Sequence, residues 1–237
     1  MSNLTVLTNK EDVAHAAAEH TVETLRACIE QNGHASWVLA GGSTPLAAYS
    51  VIATVFADAL DWTKVTFLLG DERIGPLDDP DNNWHAIDAI LHTIPASRLR
   101  PASDEAAEAA ATRYEAALES LPKTDNGLPC FDLVWLGVGQ DGHTLSLFPN
   151  HESLFPSSSL VIPVHDSPKP PRDRISLSLR ALQSTKHAVI LACGADKQAA
   201  VQAARSGSQL PIALATDIIA THGGTVTWFV DSAAATD

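Results

Sequence analysis

Positive charge is scarce in this chain. Fifteen Lys and Arg residues stand against 28 Asp and Glu, a formal net charge of −13. That balance excludes nucleic acid and anionic membrane surfaces as general partners, since both reward a cationic face. Cysteine is scarcer still. Cys28, Cys130 and Cys193 are far apart and odd in number, with no Cys-x-x-Cys pair. A disulfide framework and a cysteine-based zinc site are therefore disfavoured, and a reducing compartment is the natural setting. No apolar run approaches the roughly 20 residues needed to cross a bilayer. Met1 to Lys10 is polar and lacks the profile of a secretory signal. The expectation is a cytoplasmic protein. Also missing are the H-E-x-x-H zinc helix, the G-x-S-x-G nucleophile elbow and the lysine of a Walker loop.

What is present points to one α/β domain over residues 1–237. Hydrophobic residues make up 45% of the chain, enough for a sizeable core. Val13, Ala17, Leu25, Cys28 and Ile29 follow helical spacing and predict a helix ending near Gly33. Ser36 to Ala40, Val65 to Leu69, Phe131 to Leu136, His187 to Cys193 and Thr225 to Val230 read as buried strands. Pro45 suits the first turn of a helix capped by Ser43 or Thr44. Asp104 to Leu121 reads as a surface helix. Strands alternating with helices predict a three-layer, mainly parallel, modified Rossmann-like sheet flanked by helices. Asp166 to Arg174 contains three prolines with Lys169, Arg172 and Arg174, and reads as a semi-rigid, positively charged surface loop.

Ligands in such sheets bind beyond the carboxyl ends of the strands, and the unusual residues lie there. Gly41-Gly42-Ser43-Thr44-Pro45 follows one strand and opens a helix. Its free N–H groups and hydroxyls suit a phosphate as well as they suit an ordinary capped turn. Gly70-Asp71-Glu72-Arg73 follows the second strand, where a charge triplet is either a site or a solvated loop. Gly137-Val138-Gly139-Gln140-Asp141-Gly142-His143 follows the third. It formally matches a dinucleotide fingerprint, yet Pro149 breaks the helix that should come next. Asp141 beside His143 instead offers a carboxylate and a base that works near neutral pH.

Taken in order, these segments resemble the 6-phosphogluconolactonase family, in the larger group that includes glucosamine-6-phosphate deaminases. The resemblance rests on Gly41 to Pro45 and on Gly70 to Arg73 followed by Asn83. It continues through Phe131-Asp132-Leu133, Gly137 to Thr144 and Ser146 to Pro149. Arg174-x-Ser176-Leu177, Gly194-x-x-Lys197 and Asp231 complete it. Two departures occur: Leu145 stands where Ala is common, and Asn82-Asn83 replaces Ser-Asn.

The resemblance implies hydrolysis of 6-phosphogluconolactone to 6-phosphogluconate with no metal or organic cofactor, in a monomer or small homo-oligomer. On that reading His143 is the base for water, Asp141 either orients His143 or holds substrate hydroxyls, and backbone N–H groups of the glycine turns receive the oxyanion. Gly42, Ser43, Thr44, Asp71, Arg73, Asn83, Gly142, Arg174 and Lys197 would contact the substrate. Three alternatives are an amino-sugar phosphate isomerase or deaminase, a non-catalytic sugar-phosphate sensor and an NAD-dependent dehydrogenase. The deaminases carry a catalytic Glu a few residues past the His, whereas this chain has no carboxylate between His143 and Glu152.

Overall fold

In a computed structural model, which describes residues 2–76 and 78–235, ten strands and six α-helices alternate along the chain. The elements are β1 (Ser2–Leu7), α1 (Lys10–Asn32), β2 (Ala35–Leu39), α2 (Ser43–Val55), β3 (Val65–Leu69) and β4 (Asp71–Arg73). They continue with α3 (Asn83–Leu91), β5 (Ser97–Arg98), α4 (Ala107–Leu118), β6 (Phe131–Gly137), β7 (Val161–Val164) and β8 (Arg174–Leu177). The last are β9 (Thr185–Ala192), α5 (Gln198–Arg205), α6 (Pro211–Thr221) and β10 (Thr225–Asp231).

Seven strands form one parallel sheet in the order β1-β10-β9-β6-β2-β3-β5. The strands are apolar on both faces because helices cover both, as a parallel sheet requires. Trp37, Leu39, Phe67, Leu133 and Trp135 pack on one side with α1 and α2. Val38, Leu68, Val134, Leu136 and Ile190 pack on the other with α4 and α6. At the amino-terminal edge the buried Asp132 carboxylate accepts from the Ser36 N–H (2.8 Å), the Ser36 hydroxyl (3.0 Å) and Lys186 Nζ (2.9 Å). These bonds tie β2, β6 and β9 together far from the glycine turns.

The chain has two tyrosines, and both clamp strand ends beside those turns. The buried Tyr49 hydroxyl of α2 bonds to the N–H and C=O of Ala40, just past β2, at 2.9 and 3.0 Å. The buried Tyr114 hydroxyl of α4 bonds to both backbone groups of Leu69, at the end of β3, at 2.9 Å each. A buried backbone group without a partner is costly, so each hydroxyl fixes where its strand stops and its turn begins.

Four sequence expectations need correction. A second, antiparallel sheet in the order β4-β8-β7 lies beside the main one and was not foreseen. Arg174 belongs to it, as the first residue of β8, rather than to the proline-rich loop. The helix placed at Asp104 to Leu121 is the shorter α4, and it buries Ala107, Ala110, Ala111, Tyr114 and Leu118 instead of lying on the surface. Helix α2 is preceded by Gly42, and neither Ser43 nor Thr44 caps it by a side-chain hydrogen bond. The backbone at Gly42 (φ +103°, ψ 160°) is one that side chains rarely adopt, so a hydroxyl-bearing cap cannot occupy that place.

A candidate active site at the carboxyl end of the sheet

The ends of β2, β3, β6 and β9 open onto a cleft of about 230 Å³. Gly42, Ser43, Thr44, Asp71, Arg73, Asn83, His143, Arg174 and Lys197 all line it. Two expected residues do not. Asp141 lies behind His143, and Gly142 faces away from the cleft, its carbonyl accepting the Ile212 N–H at 3.1 Å. Lys169, Thr144 and Cys193 line the cleft without having been singled out. For Lys169 the signal was present, as the cation inside the proline-rich loop.

The turn after β6 is closed by hydrogen bonds from the Gly139 N–H to the His143 carbonyl (2.8 Å) and from the Gly142 N–H to the Gly139 carbonyl (2.9 Å). This folds His143 back over Gly139, where a Cβ would overlap the imidazole and the Asp141 carboxylate. Nδ1 of His143 makes a short hydrogen bond to Asp141 Oδ1. Burial raises the Asp141 carboxyl, but the hydrogen bond and charge of His143 outweigh that and hold it below its usual range. Burial pushes the imidazole below its ordinary value, with Asp141 opposing but not cancelling the effect. Both directions agree on one state at neutral pH: ionised Asp141 and neutral His143. A carboxylate only accepts, so Nδ1 carries the proton and Nε2 keeps its lone pair. Phe148 supports the ring from behind, with centroids 4.9 Å apart.

The opposite wall is built by the small sheet. Pairing of β4 with β8 sets Arg73 opposite Arg174 and Asp71 opposite Ser176. Like charges directly opposite one another are unfavourable, so this pair is kept against local electrostatics. The neighbouring acids compensate. Asp71 Oδ2 accepts the Ser146 hydroxyl at 2.6 Å, and its Oδ1 and carbonyl accept the Asn83 amide at 3.3 and 2.9 Å. Arg174, nearly fully buried, donates from Nε to the Pro171 carbonyl (3.1 Å) and from Nη2 to the Lys169 and Pro170 carbonyls (3.0 and 3.4 Å). Its Nη1 reaches the Ser146 hydroxyl at 3.4 Å. Of five N–H groups, this leaves one on Nη1 for a ligand.

Glu72 serves neither wall directly. Its buried carboxylate accepts the N–H groups of Arg73 (2.8 Å), Asn83 (2.7 Å) and Trp84 (2.8 Å), capping α3 and joining it to β4. Burial raises its carboxyl to about 7, against the three N–H donors. Of the two departures, Asn82 is buried and its amide bonds to the Pro76 carbonyl (2.7 Å), while Leu145 lines the cleft beside Gly70. Neither removes a titratable group.

On the remaining side, the first N–H groups of α2 have no intrahelical acceptor, and its dipole favours an anion there. Lys197 lines the same cleft, after Gly194, whose N–H is held by both Asp231 carboxylate oxygens at 3.0 Å. Among the described residues no group of three or more His, Cys, Asp or Glu side chains is placed to hold a metal ion. Nor is any helix among them long and apolar enough to cross a membrane.

The chain is similar to known proteins over most of its length. A family model described as glucosamine-6-phosphate isomerases/6-phosphogluconolactonase matches residues 8–228. The 6-phosphogluconolactonase of Streptomyces coelicolor is 38% identical, over 98% of this chain and 93% of its own. The Mycobacterium tuberculosis 6-phosphogluconolactonase is 34% identical over 87% of each chain. The crystal structure of 6-phosphogluconolactonase from Leishmania guyanensis aligns with a TM-score of 0.88 at 29% identity, covering 99% of this chain and 97% of that one. The chain belongs to the glucosamine-6-phosphate isomerase/6-phosphogluconolactonase family, on its 6-phosphogluconolactonase side.

Proposed function

We propose that this chain hydrolyses 6-phosphogluconolactone to 6-phosphogluconate, with His143 as the general base, as one catalytic unit in a reducing, cytoplasmic setting. The observation that carries the reading is the hydrogen bond from His143 Nδ1 to Asp141 in a histidine that lines the cleft, which keeps the Nε2 lone pair free to take a proton. Water held against Nε2 gives up a proton as its oxygen adds to the lactone carbonyl carbon. The carbonyl electron pair moves onto its oxygen. When that pair returns, the bond from carbon to ring oxygen breaks, and the imidazolium returns its proton to the ring oxygen.

The phosphate group of the substrate is met by the N–H groups and hydroxyls of Ser43 and Thr44, with Arg73, Lys197 and the remaining N–H of Arg174 offsetting its charge. An arginine grips such a group in two-pronged fashion, a lysine as a point charge. These cations give an acidic protein a local cationic site. Asp71 and Asn83, which line the same cleft, hold sugar hydroxyls.

Isomerisation with deamination is the competing chemistry on this fold. It needs further proton shuttling, and the segment after His143 supplies none. Ser146 is spent on Asp71, and Leu147 and Phe148 are core residues. The test offers the purified protein 6-phosphogluconolactone and glucosamine 6-phosphate in parallel. Lactone loss well above the spontaneous rate with no ammonia release is expected; ammonia release would replace this reading.

A further inference from the structure

Four cations line the cleft, and three of them are engaged. Arg73 donates to the Asp81 carbonyl, Arg174 to the proline-rich loop, and Lys197 Nζ lies 3.3 Å from Asp196. Lys169 Nζ has no hydrogen-bond or ion-pair partner among the described residues. Its backbone is the reverse: thoroughly fixed. The Lys169 N–H donates to Ser167 Oγ at 3.3 Å, and its carbonyl accepts from Ser167 Oγ at 2.9 Å and Arg174 Nη2 at 3.0 Å. The loop is also fastened at its base, where His165 bridges Asp173 (2.9 Å) and Glu108 (3.0 Å). A rigid tether with an unpaired ammonium, turned into a cleft of a chain with net charge −13, is built for an anion that arrives with the reaction.

Two anionic positions exist in a phosphorylated lactone as it reacts: the phosphate and the carbonyl oxygen. The phosphate contacts proposed above include Thr44 and Lys197. Thr44 contacts Cys193, just past β9, and Lys197 follows four residues later. Lys169 instead lines the cleft on the His143 side: its carbonyl is held by Arg174 Nη2 at 3.0 Å, the Arg174 guanidinium lies 5.6 Å from the centre of the Phe148 ring, and that ring packs 4.9 Å from the His143 imidazole, which the Lys169 charge makes harder to protonate. We propose that Lys169 is a catalytic residue whose ammonium stabilises the negative charge formed on the lactone carbonyl oxygen when water adds. Arg174 is then a positioning residue as well as a phosphate contact, because its guanidinium holds the loop that presents Lys169. The inference rests on the lactonase reading above. It explains why the loop is prolines on a scaffold rather than a mobile flap: a preorganised charge needs no rearrangement at the moment of reaction.

Lys169 is exposed, so truncating its side chain leaves the core intact. Lys169→Met is expected to lower kcat about 100-fold, the scale of one lost oxyanion donor, with KM within about threefold. Lys169→Arg, which keeps the charge, should recover part of the loss. A second readout is the pH profile. His143 is faced by Asp141 on its own turn, Lys169 from the loop, Asp71 from β4 and Arg174 behind Phe148 from β8, and Lys197 lines the same cleft. Removing only the Lys169 charge makes His143 easier to protonate, so the acidic limb of kcat/KM should move to higher pH. An unchanged kcat, a loss confined to KM or an unmoved limb would overturn the proposal. Wild-type protein without lactonase turnover would instead sink the reading on which it rests.

Discussion

Replacing Asp141 with Asn separates catalysis from stability. The Asp141 side chain is 40% exposed and that of His143 19%. A pair this accessible contributes at most about 1 kcal/mol to folding. Its catalytic worth is larger, because the carboxylate decides which ring nitrogen carries the proton. An asparagine amide can donate to Nδ1, which places the proton on Nε2 and removes the lone pair that receives water's proton. The cost is the contribution of a general base, roughly 100- to 10,000-fold in kcat, or about 3–5 kcal/mol of barrier. Asp141 also makes His143 easier to protonate. Without it the imidazole titrates lower still, so the residual activity should keep its acidic limb at lower pH than wild type. The assay is lactone turnover across pH, corrected for spontaneous hydrolysis, beside thermal melts. A kcat within threefold of wild type would refute the assigned role. So would a loss of activity matched by a collapse in melting temperature.

Three further outcomes follow from the same geometry. Gly139→Ala puts a methyl group into the His143 ring and the Asp141 carboxylate, so lactonase activity should fall at least as far as in Asp141→Asn while circular dichroism stays native. Tyr114→Phe strands the buried N–H and C=O of Leu69; urea unfolding should show a loss of about 1–3 kcal/mol. For Glu72, folded-state protonation near pH 7 lies above the unfolded value of 4.5. Its contribution to stability is therefore full below about pH 4.5 and lost as pH rises through about 7. The advantage of wild type over Glu72→Gln should shrink between pH 5 and pH 8, by up to about 3 kcal/mol; an advantage that grows over that range would contradict the burial argument.

Five of the seven strands of the central sheet are legible because buried parallel strands are unbroken apolar runs; the outer strands β1 and β5 lack such runs and are not. Val65–Leu69 was placed to the residue, and the other buried strands to within two. The small sheet was not. Asp71-Glu72-Arg73 looks like a solvated loop, since its three charges are paid for by partners distant in sequence: Ser146, the α3 N–H groups and the Asp81 carbonyl. Arg174 reads as part of its loop for a similar reason, because the residues that make it a strand are those of β4 and β7. Helix α4 reads as a surface helix from sequence because alanine marks its buried face without advertising a core. In the site, the turn carrying Asp141 and His143 could be read from local spacing alone. Lys169 could not be ranked above Arg172 or Arg174, because only the fold shows that Arg174 is occupied with the loop's own carbonyls. Arg172 is the simpler case, spent on an exposed ion pair with Asp166.

The most direct test of the account is lactone turnover by His143→Ala against wild type, under conditions where spontaneous hydrolysis has been subtracted. Among the described residues the His143 side chain bonds only within its own turn and stacks on Phe148, so the variant should fold and bind. Wild-type turnover should lie well above the spontaneous rate, and kcat should drop roughly 100- to 10,000-fold in the variant, with the acidic limb of the pH profile abolished. A folded His143→Ala protein that hydrolyses the lactone at the wild-type rate would contradict it.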